Sequence, residues 1–174
     1  MNWIEKVRYL KHRKETEAYN KEYYIDIAPE KVCWQKDELE NIVKNYDYIP
    51  KEYIEFLKEF DNLGLSFVTF YGSKAGKIIP LSDEIEELSE YTDIFQKEYF
   101  PFGKDVDGSV FAFNQKQEVV WFDIEDYDFE NPPKKIADSF EEFVGDCLIG
   151  KRYHEFDYIE DNTYYDFLKS LGWL

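Results

Sequence analysis

Few residues in this 174-residue sequence are of the types that carry out catalysis. It contains two histidines, His12 and His154, one near each end. Its two cysteines, Cys33 and Cys147, are far apart and neighbour neither histidine. A Ser or Cys nucleophile needs an adjacent base, and a zinc site needs closely spaced Cys and His ligands. The sequence therefore predicts no catalytic residues, no metal site, no cofactor and no disulfide framework.

Two short segments resemble ligand-binding loops but lack the residues that do the chemistry. Residues 72–77 are similar to a phosphate-binding loop, but Ile78 stands where a Ser or Thr would hold magnesium. Residues 105–108 are similar to the start of a calcium loop, but the twelfth position is Lys116 rather than Glu. We interpret the first segment as a turn and the second as a tight connection between strands.

Carboxylates are abundant, with 38 Asp and Glu against 21 Lys and Arg, and the net charge is −17. At this abundance adjacent acids arise by chance, so a solvated surface explains them better than acid–base catalysis. The charge also argues against nucleic acid and anionic membranes as partners, because both require clustered Lys and Arg. If charge selects the partner, that partner is a basic protein.

Aromatic residues make up 20 % of the chain, which argues against disorder, and they are interleaved with the acids. Alternation also arises when strand residues point inward and outward in turn, and for any single segment this simpler explanation is favoured. Taken together, the segments leave many aromatics at boundary positions, as in protein interfaces. We predict a partner-binding surface formed by Asp83, Glu84, Glu86, Glu87, Trp121, Asp123, Glu125, Asp126, Asp128 and Glu130.

The hydrophobic pattern predicts the elements that position this surface. Helical spacing predicts helices at residues 3–10, 37–46, 50–60 and 82–95, a helix that Asp138 or Ser139 caps, and a helical C-terminal end. Alternation predicts a strand over residues 65–71. The runs 109–114 and 118–124 predict central strands, because they are apolar on both faces. This order predicts an α+β fold in which helices pack on one face of a mainly antiparallel sheet.

The helix that carries Asp83 to Glu87 is predicted in most detail. Ser82 is its expected N-cap, and the acids that follow favour the positive end of the helix dipole. Its buried stripe is predicted to consist of Ile85, Leu88, Tyr91 and Phe95.

The acidic excess begins after residue 36. Residues 1–36 hold eight Lys and Arg against six Asp and Glu, whereas residues 37–174 hold thirteen against thirty-two. We predict a helical N-terminal extension (1–36), a central α+β domain (37–150) and an acidic, aromatic tail (151–174). The chain has no apolar run of signal-peptide or membrane-spanning length, so a cytoplasmic protein is expected.

Four segments of the central region follow one another in a familiar order. They are residues 49–57 ending in Gly64, residues 99–113, residues 119–122 and residues 137–143. The most specific part is Pro101-Phe102-Gly103 followed by an acidic loop and Gly108. Over about residues 37–149 this order resembles the SUKH superfamily, especially its Smi/Knr-type branch.

The resemblance implies an α+β domain that binds proteins and has no known catalytic chemistry. Bacterial members are typically immunity proteins, encoded beside polymorphic toxins that are often nucleases and that they inhibit by direct binding. Fungal relatives regulate cell-wall synthesis and signalling. Together with the charge, the resemblance predicts an immunity protein against a basic nuclease toxin. The alternatives are a non-catalytic regulatory or scaffold protein with an endogenous partner, and a carboxylate-based hydrolase.

Overall fold

The computed structural model of the protein describes residues 1–16, 32–76, 79–123, 129, 131–156 and 163–174. The helices in this part of the chain are α1 (Trp3–Thr16), α2 (Lys36–Asn45), α3 (Lys51–Glu59), α4 (Leu81–Tyr91), α5 (Ile94–Lys97), α6 (Phe140–Glu142) and α7 (Thr163–Ser170). A π-helical segment, Phe143–Leu148, continues α6, and a 3₁₀ turn, Tyr153–Glu155, follows it. The strands are β1 (Gly64–Leu65), β2 (Val68–Phe70), β3 (Tyr99–Asp105), β4 (Val110–Asn114), β5 (Val119–Phe122) and β6 (Lys134–Ala137).

The six strands form one antiparallel sheet in which each strand pairs with its neighbours in the chain. The predicted hairpin of central strands is confirmed as β4 and β5, which are paired from Val110 with Phe122 to Phe113 with Val119. The α+β class and the antiparallel sheet are likewise confirmed.

The prediction of a single strand over residues 65–71 is wrong. Leu65 pairs with Val68 across a two-residue reversal, so β1 and β2 form a tight hairpin. Ser66 makes this reversal with a left-handed backbone (φ 59°), a conformation that Ser rarely adopts and that the sequence does not signal. Side chains on both expected faces are buried, Phe67 and Val68 among them, so the alternation did not distinguish two strands from one.

The main core lies on one face of the sheet and is strongly aromatic. Tyr53 of α3 packs against Phe113 of β4 and Phe140 of α6, with ring centroids 5.2 Å apart in both pairs. Both terminal segments reach this core, and the predicted helices near the two ends are confirmed. Their fully buried contributions are Val7 and Leu10 of α1 and Tyr164 and Leu168 of α7. The proposed boundaries at residues 36 and 150 stay predictions.

A smaller cluster covers the opposite face of the central strands. Because successive strand residues point to opposite faces, Val110 and Ala112 of β4 lie here rather than in the main core. Leu88 of α4 and Phe95 of α5 cover them, as the double-faced apolar pattern required. Most of the helices therefore serve one face, and α5 with Leu88 of α4 serves the other, whereas Leu81 of α4 belongs to the main core.

The helix α4 differs from the prediction at both ends. It begins at Leu81 after Pro80, whose carbonyl accepts the backbone N–H groups of Asp83 and Glu84, so Ser82 is not the N-cap. It ends at Tyr91, which is 53 % exposed, so the prediction that Tyr91 belongs to the buried stripe is wrong. The cause is the break between α4 and α5, which turns the chain before Phe95 enters the core.

The helix α3 begins one residue later than predicted, at Lys51, and Pro50 is its N-cap rather than its first residue. Of the two candidate caps for α6, Ser139 is the one used, because its hydroxyl accepts the backbone N–H of Glu142 at 3.1 Å. None of the helices in the described ranges is long and apolar enough to cross a membrane.

Candidate protein-binding site

Four of the predicted partner-binding residues lie on α4, whose sequence contains five acids and no Lys or Arg. Asp83, Glu86 and Glu87 are exposed. None of the described Lys and Arg residues forms an ion pair with these three carboxylates. These three exposed carboxylates therefore form a negatively charged surface on one helix, which we call the acidic helix face.

Glu84, the fourth of these predicted residues, is held in place by an ion pair with Lys104. Its carboxylate accepts hydrogen bonds from the Lys104 ammonium at 3.1 and 3.3 Å, and its side chain is 17 % exposed. This ion pair joins α4 to β3. Burial, followed by the nearby Glu84 carboxylate, raises the pKa of the Tyr71 hydroxyl well above its ordinary value. Glu84 thus positions the acidic helix face and adds less free charge to it than its neighbours.

Trp121 lies on the other side of the sheet from the smaller cluster that α4 and α5 cover. It pairs with Phe111 in β4, and its ring packs against the main core. Its indole N–H donates to Asp105 Oδ2 at 3.1 Å. Asp105 Oδ1 accepts the backbone N–H groups of Asp107 and Ser109 at 3.0 and 2.9 Å. Trp121 is therefore part of the structural support for the connection between β3 and β4, which is the tight connection that the sequence predicts.

The remaining predicted residues follow β5. Asp123 is exposed at the end of that strand. The other four, Glu125, Asp126, Asp128 and Glu130, lie outside the described residues. The structure thus brings the α4 acids together, but it does not bring Trp121 to them. Partner binding by either group stays a prediction.

Beside the acidic helix face is a groove that the sequence analysis missed. It lies between α2 and α4, has a volume of about 320 Å³, and we call it the α2–α4 groove. Its lining residues are Glu38, Asn41, Ile42, Asn45, Tyr46, Leu81, Ser82 and Ile85. Its apolar walls come from both helices, and its polar residues lie at the rim.

The helix α2 is fixed at both ends but incompletely covered. Near its start, Glu38 Oε1 accepts the backbone N–H of Lys74 at 3.0 Å. Just past its end, the Tyr46 hydroxyl donates to the carbonyl of Phe95 at 3.2 Å, and its ring packs on Phe100 with centroids 4.9 Å apart. Nevertheless, no residue of α2 is fully buried. Burial raises the pKa of the Tyr46 hydroxyl, which keeps that group neutral at the groove floor.

A buried group of hydrogen bonds around Asp61 has a structural role. Asp61 is 4 % exposed, and its carboxylate accepts the backbone N–H and hydroxyl of Ser73, both at 2.7 Å, and the backbone N–H of Cys33 at 2.9 Å. A Cβ atom on Gly72 would lie 1.9 Å from Asn62 Nδ2, so the backbone at Gly72 packs directly against the Asn62 side chain. Asp61 therefore pins the turn at residues 72–76. Within the described ranges, no group of three or more His, Cys, Asp and Glu could hold a metal ion.

The model of the SMI1/KNR4 family (SUKH-1) matches residues 34–146. The matched region includes all six strands and both helices of the α2–α4 groove, and it leaves out α1 and α7. No curated protein matches the chain significantly.

Proposed function

The chain belongs to the SMI1/KNR4 family (SUKH-1), which includes immunity proteins, and we propose that it is an immunity protein that neutralises a toxin by binding it directly. The family match is the observation that carries this proposal. It spans the complete sheet and the helices beside it, so it concerns the whole central fold rather than a short motif.

The charge supports a basic toxin, and we propose a nuclease domain. A nuclease binds phosphates with Lys and Arg, and the carboxylates of an inhibitor can take the place of those phosphates. The net charge of −17 and the exposed Asp83, Glu86 and Glu87 of α4 suit this role. Such charge complementarity speeds encounter and selects the partner, while buried apolar contacts slow dissociation.

The acidic helix face is the part of the predicted surface that we place in the interface first. Asp83, Glu86 and Glu87 are exposed on a helix that the Lys104–Glu84 ion pair holds against the sheet. A rigid helix presents charge at fixed positions, so less freedom is lost on binding. The segment at residues 123–130 is proposed as a second contact.

Co-expression with the product of the adjacent open reading frame tests this proposal. We expect the chain to restore growth of cells that produce the toxin and to co-purify with it. The charge-reversed variant E86K/E87K serves as a weakened form, and D166K on the exposed surface of α7 serves as the matched control. Absence of both rescue and complex with the wild-type chain would favour the regulatory or scaffold function instead.

A further inference from the structure

The helix α2 carries an apolar stripe that its own fold covers only in part. Leu39, Ile42, Val43 and Tyr46 are spaced three and four residues apart, which places them on one side of the helix. In a surface helix such a stripe normally faces the core. Here Leu39, Ile42 and Tyr46 are half-buried and Val43 is 46 % exposed. An apolar surface of this kind, rimmed by polar residues, is typical of a binding site.

The shape of the α2–α4 groove suits a helix. Ile42 and Tyr46 form one wall, and Leu81 and Ile85 form the other. In both pairs the residues are four apart, so each wall runs along one face of its element for about one helical turn. An amphipathic helix that lies in such a groove inserts apolar side chains at the same spacing. A volume of about 320 Å³ accommodates one or two large side chains.

The charge around the groove selects a basic occupant. Glu38 lies on the α2 side, and Glu86 lies one turn beyond Ser82 on the α4 side. A second copy of this chain would bring the same acids and a further charge of −17, which disfavours self-association. A helix with Lys or Arg beside its apolar stripe satisfies both the walls and the rim.

We propose that the α2–α4 groove binds a basic amphipathic helix of the partner protein, with an apolar side chain seated between Ile42 and Ile85. This inference rests on the proposed function, since it names the part of the interface that anchors the toxin. A stable interface buries at least about 1,000 Å², which is more than this groove alone provides. The groove therefore acts as the apolar anchor of a larger interface, and the acidic helix face beside it supplies the charged surroundings.

Binding of a designed probe tests the groove without the toxin. The probe is a 15-residue helical peptide with Leu at positions i, i+3, i+4 and i+7 and Lys elsewhere on its surface. One control peptide has every Leu replaced by Ala, and a second has every Lys replaced by Glu. Affinities are measured by fluorescence anisotropy, and the site is mapped by amide chemical shifts in the wild-type protein.

We expect the Leu/Lys peptide to bind and to shift the amide signals of Ile42, Tyr46 and Ile85. I42A and I85A should each weaken binding by about tenfold, which corresponds to about 1.4 kcal/mol. V43A is the matched control for I42A, because Val43 lies on the same helix, is 46 % exposed and does not line the groove. Thermal unfolding of each variant establishes that the fold is retained.

Three results would overturn the inference. Equal binding of the Ala peptide would mean that charge alone attracts the probe. Equal loss in I42A and V43A would place the probe elsewhere. Concentration-dependent dimerisation that I42A abolishes would make a second copy the occupant.

The toxin assay separates this inference from the proposed function. If the wild-type chain rescues growth and I42A and I85A rescue equally well at limiting expression, the groove is not the anchor and the immunity function stands. If the peptide binds in the groove but the wild-type chain neither rescues nor co-purifies, the immunity function fails and the groove serves another partner.

Discussion

Replacing Trp121 by Phe removes one partly buried hydrogen bond while keeping an aromatic ring in the strand. The indole N–H is the donor to Asp105 Oδ2, at 3.1 Å, and Asp105 is 6 % exposed. Hydrogen bonds to charged groups contribute about 1.5–3 kcal/mol. We expect W121F to lower the free energy of unfolding by about 2–3 kcal/mol at pH 7, out of a total of about 5–15 kcal/mol for a typical domain.

The loss should depend on pH. Burial raises the pKa of Asp105, and the hydrogen bond from Trp121 opposes that rise. A carboxyl whose pKa is raised in the folded state lowers stability as the pH increases from its ordinary pKa through the raised one. W121F raises this pKa further, so it loses more stability over that interval than the wild type does. The difference between the two proteins is therefore largest near neutral pH and shrinks as the pH falls below the pKa of Asp105.

Urea unfolding followed by circular dichroism, at pH 7 and near pH 4, measures both effects. W3F is the matched control, because the Trp3 indole N–H donates to Glu141 Oε1 at 2.7 Å and Glu141 is exposed. W3F makes the same change in side-chain size, but the lost hydrogen bond is to a solvated carboxylate and therefore contributes less to the free energy of unfolding. Equal, pH-independent losses in W121F and W3F would refute the reasoning that Trp121 has a structural role through Asp105.

Three further outcomes are expected. D61A should lower the free energy of unfolding by about 2–5 kcal/mol in urea titration, because it leaves the buried N–H of Ser73 and the partly buried N–H of Cys33 without their acceptor, and a loss under 1 kcal/mol would contradict this. Burial raises the pKa of the Cys147 thiol to about 12, so it should stay unmodified by iodoacetamide at pH 8 in the native protein; mass spectrometry that finds it labelled before unfolding would contradict this. D126K/D128K should slow association with the toxin at low salt in surface plasmon resonance, and an unchanged rate would remove residues 123–130 from the interface.

Much of the fold could be predicted from local patterns. The strands β4 and β5 were predictable because their residues are apolar on both faces, which only a covered central strand requires. The cap at Ser139 was predictable because it precedes an apolar helical stripe. In contrast, Pro101 and Gly103 disguise β3, since both residues are uncommon in strands. Gly103 is needed there, because a Cβ atom would lie 2.9 Å from the carbonyl oxygen of Thr69.

Of the candidate site, only the negative charge could be predicted from the sequence. The acids of α4 are neighbours in sequence, so their clustering follows from one helix. The α2–α4 groove depends on how two helices about 40 residues apart pack together, and the stripe of Ile42 and Val43 looks the same whether a core or a partner covers it. The separation of Trp121 from α4 depends on strand register, which the sequence alone does not determine.

Stopped-flow association with the purified toxin measures whether this chain neutralises a toxin by charge-directed binding, as we propose. Exposed charges are screened beyond about 10 Å at 0.1 M salt. We predict that E86K/E87K associates about tenfold more slowly than the wild type at low salt, that the difference disappears at 1 M salt, and that D166K behaves as the wild type. Association of the wild type that is independent of salt, or a variant as fast as the wild type at low salt, would contradict the account.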